Sequence, residues 1–218
     1  MLDKVDYIVG SGEDERIAFG ALLEMLLIIT NVGTAVELFP ILKRQSETLS
    51  LGYVAARIVE CIFIAVGIVS VLAVLTLRQD FADAGADPES FLTAGRSLIA
   101  VHDWTFLLGP GFMAGVANGM ILGYLMYRSG LVPRWMAMLG LIGGPLLVAS
   151  GIAVLFDVIE AGEVEQAIAT IPEFFWELFL GIYLTFKGFK RSPILSGAPD
   201  PPLGPERIGA QLGLHRSR

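Results

Sequence analysis

The chain has 218 residues, of which 54% are hydrophobic and only 17% are charged, and its mean hydropathy is +0.67. This balance excludes an ordinary soluble domain and is typical of a multi-pass membrane protein. The lack of a basic face outside short loop clusters argues against a nucleic-acid partner.

A helix needs about 20 apolar residues to cross a bilayer. We therefore predict an all-α fold, a polytopic helical membrane bundle of about five transmembrane helices, at residues 17–42, 51–77, 104–127, 135–156 and 171–189. Pro88, after an Asp87 cap, predicts a further, interfacial helix at 88–101. The predicted domains are a polar N-terminal segment (1–16), a helical transmembrane domain (17–191) and a flexible cytoplasmic tail (192–218).

The basic residues of the loops predict the orientation of the chain. They fall on one side of the membrane: Lys43, Arg44, Arg128, Arg134, Lys187, Lys190 and Arg191. The loops on the opposite side are acidic. Because short basic loops stay in the cytoplasm, we expect a cell-membrane protein with a cytoplasmic C-terminus. Five spans then place Met1 outside, which leaves two alternatives: the N-terminal segment is translocated directly, or the natural protein begins with another span.

Polar residues occupy one face of the first span. At about 100° per residue they share an arc of roughly 180°, and they are Gly20, Glu24, Thr30, Asn31, Gly33, Thr34 and Glu37. A charge at bilayer depth costs at least about 2.5 to 3.5 kcal/mol, so it often marks a pathway, a relay or a ligand site. The pattern leaves open whether this face lines a cavity or joins helices through hydrogen bonds.

Three charged residues lie toward the cytoplasmic ends of the first two spans. Glu37 and Arg57 come level across the predicted antiparallel hairpin, and Glu60 follows Arg57 by one helical turn. We expect a structural ion pair among Glu37, Arg57 and Glu60 that fixes the register of the hairpin.

Glu24 and Glu177 lie at a matching depth nearer the outside, and neither has an evident cationic partner. Pro110, between two glycines, lies at the same depth in the third span and predicts an interruption of that helix. Interrupted membrane helices expose carbonyl groups that bind ions and substrates in transporters. An ordinary proline kink is the alternative.

His102 and Asp103 lie at the entry to the third predicted span, and Glu173 lies near the start of the fifth. A histidine with carboxylates binds a metal or relays protons. Asp103 as a helix cap and Glu173 in a capping box with Thr170 are the structural alternatives. The candidate ligand-binding residues are therefore Glu24, Asn31, His102, Asp103, Pro110, Glu173 and Glu177.

Glycine recurs every fourth residue along the third span, at Gly111, Gly115, Gly119 and Gly123. Such a stripe lets another helix approach closely, and we expect it to pack within the bundle.

Several motifs together resemble a bacterial family of multi-pass membrane proteins known as a domain of unknown function. They are NVGTA at 31–35, LGYVAAR at 51–57, HDW at 102–104, LLGPG at 107–111, VPRW at 132–135 and PEFFWEL at 172–178. The resemblance covers residues 17–189, but it carries no activity. Similar proteins generally begin with another hydrophobic segment, a pattern from which this chain departs. The resemblance implies that the polar residues within these motifs belong to a shared site.

Three functions fit these residues. The first is a small-molecule or ion transporter, or a sensor, with an outer-facing polar cavity lined by Glu24 and Glu177. The second is a membrane-embedded metal-dependent enzyme that uses His102, Asp103, Glu173 and Glu177. The third is a structural or partner-binding subunit in which polar residues only join helices. The substrate and any cofactor are not specified by the sequence.

Overall fold

The computed structural model describes residues 14–84 and 88–196, and these residues form helices and short loops without a β-strand. Residues 1–13, the predicted cap Asp87 and residues 197–218 lie outside the described part of the chain. The α-helices are α1 (Asp14–Leu42), α2 (Glu47–Ala84), α3 (Pro88–Phe106), α4 (Gly123–Ser129), α5 (Arg134–Leu155), α6 (Val164–Lys187) and α7 (Pro193–Ser196).

Five helices are long and apolar enough to cross a membrane, and they coincide with the five predicted spans. The third is a continuous helix from Glu89 to Ser129 that includes α3 and α4. The all-α class and the five spans are therefore confirmed. The helix predicted at 88–101 is present as the beginning of α3, and it continues directly into the third span.

The sequence predicted an interruption of the third span at Pro110, but the structure shows a continuous helix there. Two π-helical stretches, Leu107–Met113 and Gly115–Leu122, join α3 to α4. The amide of Ala114 donates to the carbonyl of Gly109, five residues earlier. Proline lacks an amide hydrogen and its ring crowds the carbonyl four residues before it, so the wider π turn accommodates Pro110 while the chain stays helical.

The long helices pack in chain order. α1 packs on α2, α2 packs on the third span, the third span packs on α5, and α5 packs on α6. Three of the four glycines of the predicted stripe lie against α5, and they are Gly115, Gly119 and Gly123. A Cβ atom on Gly144 would lie 2.6 Å from the carbonyl oxygen of Gly115, so only glycine permits this approach.

The chain after α6 packs against the loop that follows α4. The amide of Lys190 donates to the carbonyl of Leu131 at 2.8 Å, and the hydroxyl of Ser192 donates to the carbonyl of Ser129 at 2.9 Å. Arg44 donates to the carbonyl of Ile194. The segment after α6 is thus held by hydrogen bonds to the chain after α1 and around the end of α4.

Candidate functional site

Arg57 and Glu60 form a buried ion pair on α2. Their side chains lie one turn apart, and Nη1 of Arg57 is 2.7 Å from Oε2 of Glu60. Arg57 is 5% exposed and Glu60 is 3% exposed. The predicted pair of these two residues is therefore present, because residues three apart on a helix share a face.

The partner from α1 is Asn31 rather than Glu37. Nδ2 of Asn31 donates to Oε1 of Glu60 at 3.2 Å, and Asn31 is buried. Glu37 is exposed and makes no ion pair with Arg57 within the described residues. Six residues separate Asn31 from Glu37, which places them about 120° apart around the helix. The polar arc of α1 is thus wider than the surface that faces the bundle, and Glu37 lies on its outer edge.

Glu177 on α6 accepts a hydrogen bond from the side-chain amide of Asn118, which lies in the second π-helical stretch. The carbonyl of Asn118 accepts a hydrogen bond from the indole of Trp176 at 3.0 Å, and Trp176 is completely buried. Asn118 therefore holds the third span to α6 through both its side chain and its backbone. Part of Glu177 remains exposed on the bundle surface, at the edge of this contact.

Glu173 lies one turn before Glu177 and is 3% exposed. Neither of its carboxylate oxygens has a hydrogen-bond partner among the described residues. The side chain lies where the third span crosses α5, because a Cβ atom on Gly119 would be 2.6 Å from Oε2 of Glu173 and one on Gly143 would be 2.9 Å from it. Burying an ionised carboxylate without partners is costly.

The predicted capping box of Thr170 and Glu173 is absent. α6 begins at Val164, with Glu163 at its N-cap, so both residues lie inside the helix. The hydroxyl of Thr170 donates to the carbonyl of Gln166 within that helix. Glu173 therefore has no capping role.

These residues form one polar group in the bundle. Glu177, Arg57 and Glu60 lie close enough to Glu173 to interact with it electrostatically. Tyr53 is within electrostatic reach of Arg57, Glu60 and Glu177. We name this group the Arg57 cluster, and its members are Asn31, Tyr53, Arg57, Glu60, Asn118, Glu173 and Glu177.

The Arg57 cluster contains three carboxyl groups and one guanidinium group. Besides the oxygens of Glu173, the hydroxyl of Tyr53 and Nε of Arg57 are buried without a hydrogen-bond partner in the described structure. Unpaired donors and unpaired acceptors thus occur within one cluster. Buried polar groups are normally hydrogen-bonded, so Glu173, Tyr53 and Arg57 are exceptions to that rule in the described structure.

A separate cleft lies between α1, α2 and α3. We name it the His102 cleft, and it is lined by Glu24, Leu27, Ile64, Gly67, His102, Thr105, Phe106 and Pro110. Nε2 of His102 is 3.6 Å from Oε1 of Glu24, and Nδ1 is 3.3 Å from Oδ1 of Asp103. The space inside is sufficient for about one water molecule.

Glu24 and Glu177, predicted to share a site, belong to different places in the bundle. Glu24 has His102 as its partner, whereas Glu177 is bonded to Asn118 and does not line the His102 cleft. They were predicted to share a site because they lie at matching depths along their spans. They lie apart because α1 packs on α2, whereas α6 packs on α5. Pro110 lines the cleft with Glu24, although its backbone remains helical.

Asp103 is not a helix cap, because α3 extends from Pro88 to Phe106 and includes it. Its side chain is mostly exposed and contacts His102. Among the described residues, no three His, Cys, Asp or Glu side chains gather closely enough to hold a metal ion. Of the donors in the metal-enzyme hypothesis, His102 and Asp103 are in contact, whereas Glu173 and Glu177 belong to the Arg57 cluster.

Asn118 and Tyr53 were absent from the predicted site. Asn118 had a usable signal, since an amide inside an apolar span needs a hydrogen-bond partner in the bundle. Tyr53 had none, because a tyrosine near a span end is usually explained by the membrane interface.

The fold and its charged interior define a multi-pass helical membrane protein. The chain belongs to the family DUF4386, described as a domain of unknown function, which matches residues 2–188. An uncharacterized protein of Archaeoglobus fulgidus is 32% identical in an alignment of 109 positions, which covers 46% of this chain and 59% of that relative. No solved structure matches the chain significantly. The resemblance inferred from the motifs is thus confirmed at the level of the family.

Proposed function

We propose that this protein is a membrane transporter or sensor for a proton or a small cation, and that the Arg57 cluster is its ion-exchanging site. The observation that carries the proposal is Glu173. Its carboxyl group is buried, lacks a hydrogen-bond partner in the described structure and lies near two further carboxyl groups.

The charge of the cluster supports an exchangeable cation. Three ionised carboxylates beside one guanidinium would leave two uncompensated negative charges within the bundle. Charges at this depth interact strongly because the surroundings screen them poorly. A proton on Glu173, or a small cation near it, lowers this electrostatic cost.

The position of the cluster connects ion binding to the arrangement of the helices. Asn31 brings α1 to Glu60 on α2, and Asn118 brings the third span to Glu177 on α6. A change of charge at Glu173 acts on both hydrogen-bonded pairs. π-helical stretches often occur at functional sites in helices, and one of them holds Asn118.

The size of the His102 cleft favours a proton or a small ion over a larger solute. This cleft is the counterpart of the predicted outer-facing cavity, and it has room for about one water molecule. We propose that this cleft opens toward the outside, because the basic loops place the C-terminus in the cytoplasm.

The test is the thermal unfolding of the purified protein in detergent, measured across pH and across sodium concentrations at constant ionic strength. We expect the wild-type melting temperature to respond to protons or to sodium, because binding to the folded state stabilises it. Glu177→Gln and Glu173→Gln should remove most of this response. Glu165→Gln is the matched control, since Glu165 is exposed in the first turn of the same helix.

The outcome separates the three functions. An unchanged response in Glu177→Gln refutes the role of Glu177. A wild-type protein without any response to protons or cations favours the structural subunit. Stoichiometric metal in the purified protein that is lost on His102→Ala favours the metal-dependent enzyme.

A further inference from the structure

The His102 cleft and the Arg57 cluster are separated by a single helical turn on two different helices. On α1, Leu27 lines the cleft and Asn31, four residues later, bonds Glu60. On α2, Ile64 lines the cleft and Glu60 lies four residues earlier. Four residues correspond to about 6 Å along a helix. Because α1 and α2 are antiparallel neighbours, both helices place the cluster on the same side of the cleft.

Only one turn of each helix, with apolar side chains, separates the two sites. The side chains of Leu27 and Ile64 form the cleft wall on the side of the cluster. The third span approaches α2 closely here, because a Cβ atom on Gly109 would lie 3.3 Å from the carbonyl oxygen of Glu60. Gly109 directly precedes Pro110, another wall residue of the cleft. One or two water molecules would span a separation of this length, since each hydrogen bond spans about 2.8 Å.

His102 has the contacts of a proton carrier. Nε2 faces Glu24 on α1 and Nδ1 faces Asp103 on its own helix. From α2 the cleft is lined by Ile64 and Gly67, which do not titrate. An imidazole accepts a proton at one nitrogen and releases one from the other, and Asp103 is the more exposed of its two carboxylate partners.

We propose that the His102 cleft is the port through which protons enter and leave the Arg57 cluster. A proton from bulk water passes by way of Asp103 to His102 and on to the carboxylate of Glu24. Water in the cleft then carries it to Glu60, the nearest carboxyl group of the cluster. Only the proton moves: each carboxylate becomes a carboxylic acid in turn and is restored when the proton leaves. The port rests on the proposed function, because it requires that the cluster bind a proton.

The experiment follows protonation of the cluster itself by time-resolved infrared spectroscopy after a downward pH jump. A carboxylic-acid band that is present in the wild type and absent from Glu173→Gln or Glu60→Gln reports the cluster directly. We expect His102→Gln to slow the rise of this band on the order of tenfold or more. Its final amplitude should be unchanged, because the cluster is intact.

A second variant tests the route without removing a titratable group. In Gly67→Ala the new Cβ atom would lie 2.9 Å from Oγ1 of Thr105 and 3.5 Å from Cδ2 of His102, so it fills the cleft. We expect this variant to slow the band as well. Gly33→Ala is the matched control, since no atom lies within 4 Å of the added Cβ, and it should keep the wild-type rate.

The possible results distinguish the port from the site. If the wild type has no cluster band, the cluster does not bind a proton, and both the port and the proton form of the proposed function fail. If the band is present but rises at the wild-type rate in both His102→Gln and Gly67→Ala, the port is refuted while the ion site stands. A slower band in both variants, with Gly33→Ala unaffected, supports the port.

Discussion

The Arg57 cluster joins four helices around buried charges, whereas the charged groups of the His102 cleft come from two helices and remain partly exposed. Both contain carboxylates beside a basic side chain. In the Arg57 cluster most of these groups are buried, so removing one leaves others uncompensated. In the cleft the charged side chains are partly exposed, so removing one leaves a partner that is only partly buried. Similar residue types therefore stabilise the bundle in the Arg57 cluster and form the proposed proton port in the His102 cleft.

Arg57→Ala should produce the largest effect. It leaves Glu60 buried without its 2.7 Å partner, and breaking a buried pair in this way costs roughly 3 to 5 kcal/mol. The free energy of unfolding in mixed micelles measures the loss. Arg96→Ala, at an exposed position of α3, is the control and should stay within about 0.5 kcal/mol of the wild type. A loss below about 1 kcal/mol for Arg57→Ala would contradict the description of the cluster.

Gly143→Ala should come next. The added Cβ atom would lie 2.8 Å from Cα of Glu173, so α5 and α6 must separate, at a cost of about 1 to 3 kcal/mol. Gly181→Ala, on α6, meets no atom within 4 Å. This control should leave stability unchanged or raise it by up to about 1 kcal/mol, because alanine favours a helix over glycine. Equal stabilities of the two variants would show that the crossing is looser than described.

Glu24 and His102 should contribute little to stability. The pair is partly exposed and its closest atoms are 3.6 Å apart, so its coupling energy should not exceed about 1 kcal/mol. A double-mutant cycle of Glu24→Gln and His102→Gln in the same unfolding assay measures it. A coupling as large as that of Arg57 and Glu60 would remove the distinction between the two regions.

Glu37→Gln should have the smallest effect. Glu37 is exposed on the face of α1 that points away from the cluster, so neither the stability of the bundle nor its response to protons and sodium should fall. The melting temperature across pH is the measurement. Loss of that response would show that Glu37 contributes to the ion-binding site.

The sequence predicted the spans well because crossing a bilayer requires length and apolarity, and both are visible in the residues. It predicted the sites less well. A helical wheel identifies the polar face of α1, yet it does not say which edge of that face meets α2, and this decided between Asn31 and Glu37. The positions of Glu24 and Glu177 along their spans predicted that the two residues lie at the same depth. Those positions did not predict the order in which the helices pack.

The third span illustrates a different limit. Glycine and proline around residue 110 predicted an interruption or a proline kink, and the structure has π-helical turns there instead. Which one forms depends on whether neighbouring helices satisfy the freed backbone groups. The role of Asn118 in the cluster likewise depends on its contacts with α6. No local sequence pattern predicts those contacts.

The spacing of Arg57 and Glu60 has a consequence for the biogenesis of the protein. Both charges lie on one turn of α2, so they enter the bilayer together, as a pair that is already neutralised. Glu173 and Glu177 lie on α6, which is the last of the five spans to be synthesised. When it inserts, Arg57 is already in place and paired with Glu60. The order of the helices along the chain thus brings the two carboxyl groups that Arg57 does not neutralise into the membrane last.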